Sequence, residues 1–163
     1  GHTRWATHGE VNDTNSHPHM KDHISIVHNG IIENASLLRK ELATGGYEFK
    51  SQTDSEVFLA LLTRELAKKK SFKQAMLDSF ALVEGNSAFV VLNKDVLEIM
   101  SIKKGAPLVC GINSVNSEAF ISSDPYALAG MASQLYFPAD NVLCHLSPKN
   151  KNPDGSGTAV RLV

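Results

Sequence analysis

The sequence predicts an α+β domain built in layers, and three observations carry that expectation. Amphipathic helical segments follow one another between residues 35 and 80. Short strand-like segments follow one another from residue 86 onward. Helices grouped together and antiparallel-type strands grouped together stack as separate layers, whereas strict alternation would give a parallel sheet. Finally, no repeat, linker or low-complexity stretch interrupts the 163 residues, so 1–163 reads as one domain that buries roughly 70% of its unfolded surface.

The elements can be justified in order. "HISIVHNG" (23–30) is a β-branched run closed by Asn29-Gly30, a strand entering a tight turn. Asn34 is placed to cap a helix through "ASLLRKELAT" (35–44), with Leu37, Leu38 and Leu42 on its apolar face. Gly45-Gly46 stops that helix, because glycine takes the left-handed conformation without steric cost. "TDSE" (53–56) predicts a capping box between Thr53 and Glu56, opening a helix with Val57, Leu61 and Leu62 inward. Ser71 and Gln74 form a second such box ahead of Ala75, Met76 and Phe80. "NSAFVVLN", "VLEIMSIK", "PLVCGIN", "EAFISSD" and "NVLCHLS" are then strands, with a short helix near Pro125 and a last strand in the tail.

Composition narrows the function. Hydrophobic residues make up 42% and charged residues 20%, and the net charge is -1. That balance gives no electrostatic case for nucleic acid or an anionic membrane, and no apolar stretch approaches the ~20 residues of a membrane span. The one basic run, Lys68-Lys69-Lys70, falls where a helix should end, and cations there suit the helix dipole. Two cysteines, Cys110 and Cys144, are too few for a disulfide framework and fit a reducing compartment, the cytoplasm. Both sit in apolar strand-like runs, where a thiol packs as a small hydrophobe.

Six of the seven histidines (His2, His8, His17, His19, His23 and His28) precede residue 29, which raises a metal-binding hydrolase as an alternative. The spacing argues against it. His17 and His19 flank Pro18, which forbids a helical His pair, and no carboxylate stands at the usual distance. The remaining polar groups form a more coherent set. Arg4 offers a planar fork for a carboxylate, and Thr7 and His8 lie beside it. Asn29-Gly30 sets a side-chain amide next to a sterically free N–H, one way to build an oxyanion hole. Asp54, at a helix start, can meet an amine or simply favour the helix dipole. Together these groups suit an α-amino acid.

"HTRWATHG", "HNGIIEN", "TDSE" and "GAPLVCGIN…FISSDPYAL" resemble, in order and spacing, the glutaminase domains of class II glutamine amidotransferases. Within that family the branch acting on fructose 6-phosphate is the better match, and amidophosphoribosyltransferases of purine synthesis are the alternative. The resemblance implies an N-terminal-nucleophile hydrolase fold, a four-layer αββα sandwich with antiparallel sheets. It implies that an N-terminal cysteine attacks the glutamine side-chain amide, with its own α-amine as general base. Carried over, Arg4, Thr7 and His8 hold the glutamine α-carboxylate and Asp54 its α-ammonium. Asn29 and Gly30 form the oxyanion hole. Trp5 becomes the gate for ammonia passage, with a core or rim aromatic as its other reading. No cofactor or metal is implied. The implied partners are glutamine or glutamate, a sugar-phosphate isomerase half that binds fructose 6-phosphate, and a second copy in a homodimer.

Gly1 opens directly onto this dense segment, so the sequence reads as a truncated or cleaved polypeptide lacking the family's nucleophile and first strands. Two expectations follow. The chain by itself does not hydrolyse glutamine, and its exposed sheet edges favour association. A non-catalytic interaction module on the same scaffold is the remaining alternative.

Overall fold

The structure is a computed structural model that describes residues 1–3, 10–147 and, for the backbone alone, 160–162. Nine strands and three α-helices are traced among these residues. Strands β1 (His19–Lys21) and β2 (Ile24–Gly30) precede helices α1 (Ala35–Thr44), α2 (Ser55–Ala67) and α3 (Phe72–Phe80). Strands β3 (Ser87–Asn93), β4 (Glu98–Lys104), β5 (Val109–Asn113), β6 (Glu118–Ser122), β7 (Gln134–Tyr136), β8 (Cys144–Leu146) and β9 (Val160–Leu162) follow. A six-stranded sheet runs β1-β2-β3-β4-β8-β9 and a three-stranded sheet runs β6-β5-β7, with every paired strand antiparallel.

Strand alternation decides what lies between the layers. On β2, β3 and β4, Ile24, Ile26, Phe89, Val91, Met100 and Ile102 are buried and belong to one core with the helices. Phe89 is its centre: it stacks on Phe58 of α2 at 3.8 Å and on His28 at 4.4 Å, and meets Phe80 of α3 edge-on at 6.1 Å. Residues of the opposite parity, such as Val27 and Val90, line a cavity with Leu108 and Ile121 of the other sheet region. The two sheets therefore face each other, with helices covering the far side of the larger one. This is the expected sandwich of antiparallel sheets, and the described residues trace three of its four layers.

Helix α2 is buried almost all round, from Ser55 through Leu62, because α1, α3 and the sheet each cover part of it. A helix apolar on every face is a core helix, so its ends must supply the polar anchoring. Arg39 of α1 provides one anchor, donating to the Ser51 and Thr53 carbonyls at 3.1 and 2.6 Å while lying 4.1 Å above the Phe49 ring.

Several local expectations give way to tertiary contacts. Leu37 is 70% exposed, and only Leu38 and Leu42 carry the apolar face of α1. Asn34 occupies the cap position without capping; its carboxamide instead donates to Leu82 O and accepts from Glu84 N. The Thr53–Glu56 box does not form. Glu56 accepts from the Lys50 and Ser51 N–H groups and the Ser51 hydroxyl, while Thr53 Oγ1 meets His19 Nε2 at 2.9 Å. Ser71 does cap α3, accepting from Gln74 N at 3.2 Å, but the Gln74 side chain turns to Asp78. Of the two glycines closing α1, Gly46 is the one with positive φ.

The basic run after α2 meets a specific partner. Glu65, buried, accepts from Lys68 Nζ at 2.8 Å and Lys70 Nζ at 2.6 Å, with Arg64 Nε at 3.3 Å. Hydrogen bonds from Lys68 and then Lys70 outweigh burial and pull the Glu65 pKa down to about 2. The folded state thus holds a carboxylate more acidic than its ordinary 4.5, so its stabilisation is complete above that pH and is lost as pH falls through about 2. Glu65→Gln should cost ~1–3 kcal/mol at neutral pH. It should also flatten the fall of stability between pH 4.5 and about 2, which urea denaturation at several pH values measures.

Candidate functional site

Asn29 and Gly30 close β2, and the β2–β3 register gives each a different direction. Asn29 shares its face with Ser25 and Val27, away from the helices, and lines a cavity of about 140 Å³ between the sheets. Gly1, His2, Ala88, Val90, Pro107 and Leu108 complete much of that wall. His28, one residue earlier, points the other way and is buried against Phe89.

The Gly30 N–H can be followed by the same register. Ile31 N donates to Asn86 O at 3.0 Å, which makes that pair a hydrogen-bonded rung. Rungs alternate in an antiparallel ladder, so Gly30, opposite Ser87, turns its N–H away from β3. On that outer side β1 pairs β2 only at Ile24–Ile26. Among the described strands none pairs with the outer edge of β2 at Gly30. The position also admits only glycine. Its φ is +119°, and a Cβ there would collide with the Asn86 carbonyl oxygen and approach Ser87 Cα to 2.9 Å.

Asp54 stands at the N-terminus of α2 and is buried. Its Oδ2 accepts from Ile32 N at 2.9 Å, so the carboxylate grips the backbone just beyond the end of β2. The tight turn expected at Asn29-Gly30 does not form, because both residues stay paired with β3. Asp54 does not itself line the cavity beside Asn29.

The histidines form a hydroxyl-linked network. Ser55 Oγ meets His28 Nδ1 at 2.9 Å and His17 Nε2 at 3.1 Å, and His28 Nε2 meets Ser87 Oγ at 3.2 Å. The His17 ring lies 4.2 Å from His2 and 5.1 Å from His19. His2 Nε2 reaches Asn29 Oδ1 at 2.5 Å. Each contact joins imidazole to hydroxyl, ring or amide. Among the described residues no group of three or more His, Cys, Asp or Glu is arranged to hold a metal ion.

Of the residues the sequence singles out, Asn29 and Gly30 are thus adjacent at one strand end, with Asp54 joined to them through Ile32. Arg4, Trp5, Thr7 and His8 lie outside the described residues. Cys110 and Cys144 are both free and buried, consistent with their reading as packed thiols. They lie against each other and Ser101, and the hydrogen bond with the Cys144 thiol, followed by burial, pushes the Cys110 pKa up. The sequence treated the histidines as a cluster and missed the separate parts that His2 and His28 play. For His28 a signal existed: it takes the helix-facing position of an otherwise apolar alternation.

Burial, opposed by the Asp54 charge, lowers the His28 pKa from 6.5 to about 4. His28 is therefore neutral at pH 7, able to donate from one ring nitrogen and accept at the other. In the unfolded chain it binds a proton more readily, so its contribution to stability is complete above pH 6.5 and declines as pH falls toward about 4. His28→Phe keeps the stack on Phe89 but removes this titration. The expected result is a lower stability at pH 7 and a shallower pH slope between 6.5 and about 4 than in the parent chain, read by urea denaturation.

Comparison with known proteins supplies the family and agrees with the fold. A family model described as a glutamine amidotransferase domain matches residues 2–129. A glutamine–fructose-6-phosphate aminotransferase (isomerizing) of Mesorhizobium japonicum is 45% identical over 141 residues, 86% of this chain and 23% of that protein. The enzyme of the same name from Escherichia coli K12 is 36% identical over 162 residues, 98% of this chain and 26% of that protein. The chain thus spans about a quarter of the length of these curated relatives. Among solved structures, the glutamine phosphoribosylpyrophosphate amidotransferase of B. subtilis superposes with a TM-score of 0.78 at 21% identity, covering 99% of this chain and 34% of that one. A structure described as the allosteric regulatory enzyme of purine biosynthesis superposes with a TM-score of 0.66, also at 21% identity, covering 83% of this chain and 28% of that one. At that identity the structural likeness speaks for the fold. The family match extends over most of the sequence, and this chain belongs to the glutamine amidotransferase domain family.

Proposed function

We propose that this chain is the glutamine-binding and oxyanion-holding part of a glutamine-dependent aminotransferase that delivers ammonia to fructose 6-phosphate. The observation that carries the reading is the strand end at Asn29-Gly30. There an amide side chain enters the inter-sheet cavity, while the adjacent N–H is turned out of the β2–β3 ladder.

On this reading a thiol attacks the carbonyl carbon of the glutamine side chain, and the carbonyl oxygen takes up negative charge. Asn29 Nδ2–H and Gly30 N–H receive that charge. Collapse breaks the C–N bond and expels ammonia carrying the proton the thiol gave up, and water then hydrolyses the remaining thioester to glutamate and the free thiol. Fixed donors of this kind lower such a barrier by ~3 kcal/mol each, because they are aimed before charge develops. Arg4, with Thr7 and His8, takes the α-carboxylate, and Trp5 gates the departing ammonia. Asp54 takes the α-ammonium through Oδ1, since Oδ2 is engaged by the Ile32 N–H. The sugar-phosphate isomerase half, the homodimer and the cytoplasmic location belong to the same proposal. No described helix is long and apolar enough to cross a membrane.

The thiols of this chain, Cys110 and Cys144, are buried and do not line the cavity at Asn29. The 163-residue chain is therefore expected to bind glutamine or glutamate without releasing ammonia. Titration with glutamate should shift the amide resonances of Gly30 and Ile32 and the Asn29 carboxamide. Asp54→Asn should weaken that binding ~10-fold or more, the scale of a lost charge-assisted contact. Absence of any shift at millimolar ligand, or ammonia release that Arg4→Ala abolishes, would overturn one half of the reading each.

A further inference from the structure

An asparagine can serve an oxyanion only with its Nδ2–H, because Oδ1 carries lone pairs that repel negative charge. The carboxamide has two faces related by a half-turn, and the backbone of β2 does not choose between them. The choice falls to whatever meets the other end of the amide. In this structure that partner is His2, whose Nε2 stands 2.5 Å from Asn29 Oδ1.

We propose that His2 is a positioning residue for the oxyanion hole. Its Nε2–H donates to Asn29 Oδ1 and so leaves Nδ2–H as the group that Asn29 offers to the cavity both residues line. The inference rests on the oxyanion reading of Asn29 given above. A carboxamide oxygen has no proton to give, so the ring nitrogen is the donor. The neutral Nε2–H tautomer and the imidazolium both satisfy this, and the orientation survives a change in His2 charge. His2 is held in turn. The His17 ring packs on it at 4.2 Å, and His17 is tied through Ser55 to the start of α2. An amide pinned in this way costs no reorientation when charge develops, which is where fixed donors gain over mobile ones. The role is separate from substrate binding, since the amino-acid end of glutamine is assigned to Arg4, Thr7, His8 and Asp54.

Two measurements test the proposal. In the 163-residue chain, long-range 1H–15N spectra should show His2 protonated at Nε2. A His2 protonated only at Nδ1 would overturn it, because Asn29 would then be spending its Nδ2–H on the ring. In the full-length protein that carries these residues, His2→Phe should lower kcat for glutamate release about 10- to 100-fold. The KM for glutamine should stay within about twofold, the signature of an interaction expressed in the transition state. His2→Gln, which keeps an N–H donor of similar reach, should recover most of that loss. In an Asn29→Ala background, His2→Phe should have no further effect.

The outcomes separate the two readings. If Asn29→Ala leaves kcat intact, the oxyanion assignment itself fails. If Asn29→Ala lowers kcat but His2→Phe does not, or lowers it by the same factor in both backgrounds, the His2 proposal fails alone. Should His2→Phe prevent folding, as circular dichroism would reveal, the tautomer and His2→Gln decide: an Nδ1–H ring, or an Asn29-independent loss in His2→Gln, overturns the proposal.

Discussion

The Asn86 carbonyl oxygen is the point about which the site is organised. It accepts the Ile31 N–H and occupies the space that a side chain at residue 30 would need. Both facts follow from one register between β2 and β3. That register sends Asn29 toward the second sheet, His28 toward the helices and the Gly30 N–H toward the outer edge. A slip of one residue would exchange the first two, burying the amide among phenylalanines and placing the imidazole in the cavity. Hydrophobic alternation protects against the slip, because Ile24 and Ile26 would leave the core with it while Phe89 and Val91 of β3 lost their partners there.

The polar cluster beneath the strand end is compatible with burial because it stays neutral where it is deepest. His28 is held without a proton, hydrogen-bonded on both ring nitrogens and stacked on Phe89. A charge at that position would face the full desolvation cost of the core, whereas a neutral ring with two hydroxyl partners leaves little unsatisfied. The N-terminus of α2 supplies the other half of the arrangement, with Ser55 joining two histidines and Asp54 gripping Ile32. A helix so thoroughly apolar along its middle has few other places to anchor.

The helices were legible in the sequence almost to the residue, because their apolar spacing and their breakers agree. "ASLLRKELAT" is α1 from end to end, and Gly45-Gly46 terminates it. The caps were not legible. Asn34 and Glu56 carry the right chemistry for local capping, yet each is drawn to backbone groups elsewhere: Asn34 to residues 82 and 84, Glu56 to residues 50 and 51. Short pairing strands such as β1 and β7 also escaped, since three residues are too few to show a period. At the candidate site, the strand end at Asn29-Gly30 could be read because a β-branched run closed by glycine is a local signal. The His2–Asn29 and Asp54–Ile32 contacts could not, because they span 27 and 22 positions and leave no local trace.

The arrangement separates two demands that a single flexible loop would satisfy poorly. Oxyanion donors must be fixed before charge develops, so they belong on a strand held through its neighbours. Asn29 and Gly30 meet that condition, with β3 on one side and Asp54 holding the turn that follows. Recognition of an amino acid's charged ends tolerates more adjustment and can be drawn from separate segments, here residues 4–8 and the start of α2 on the proposed reading. Asp54 belongs to both systems. One oxygen holds the Ile32 N–H, and the other is assigned to the ligand's ammonium. On the proposed reading, a ligand drawn to that carboxylate is referenced to the same backbone that carries Asn29 and Gly30. The spacing between its amine and its side-chain carbonyl would then be matched by a few bonds around β2, not by the packing of the whole domain.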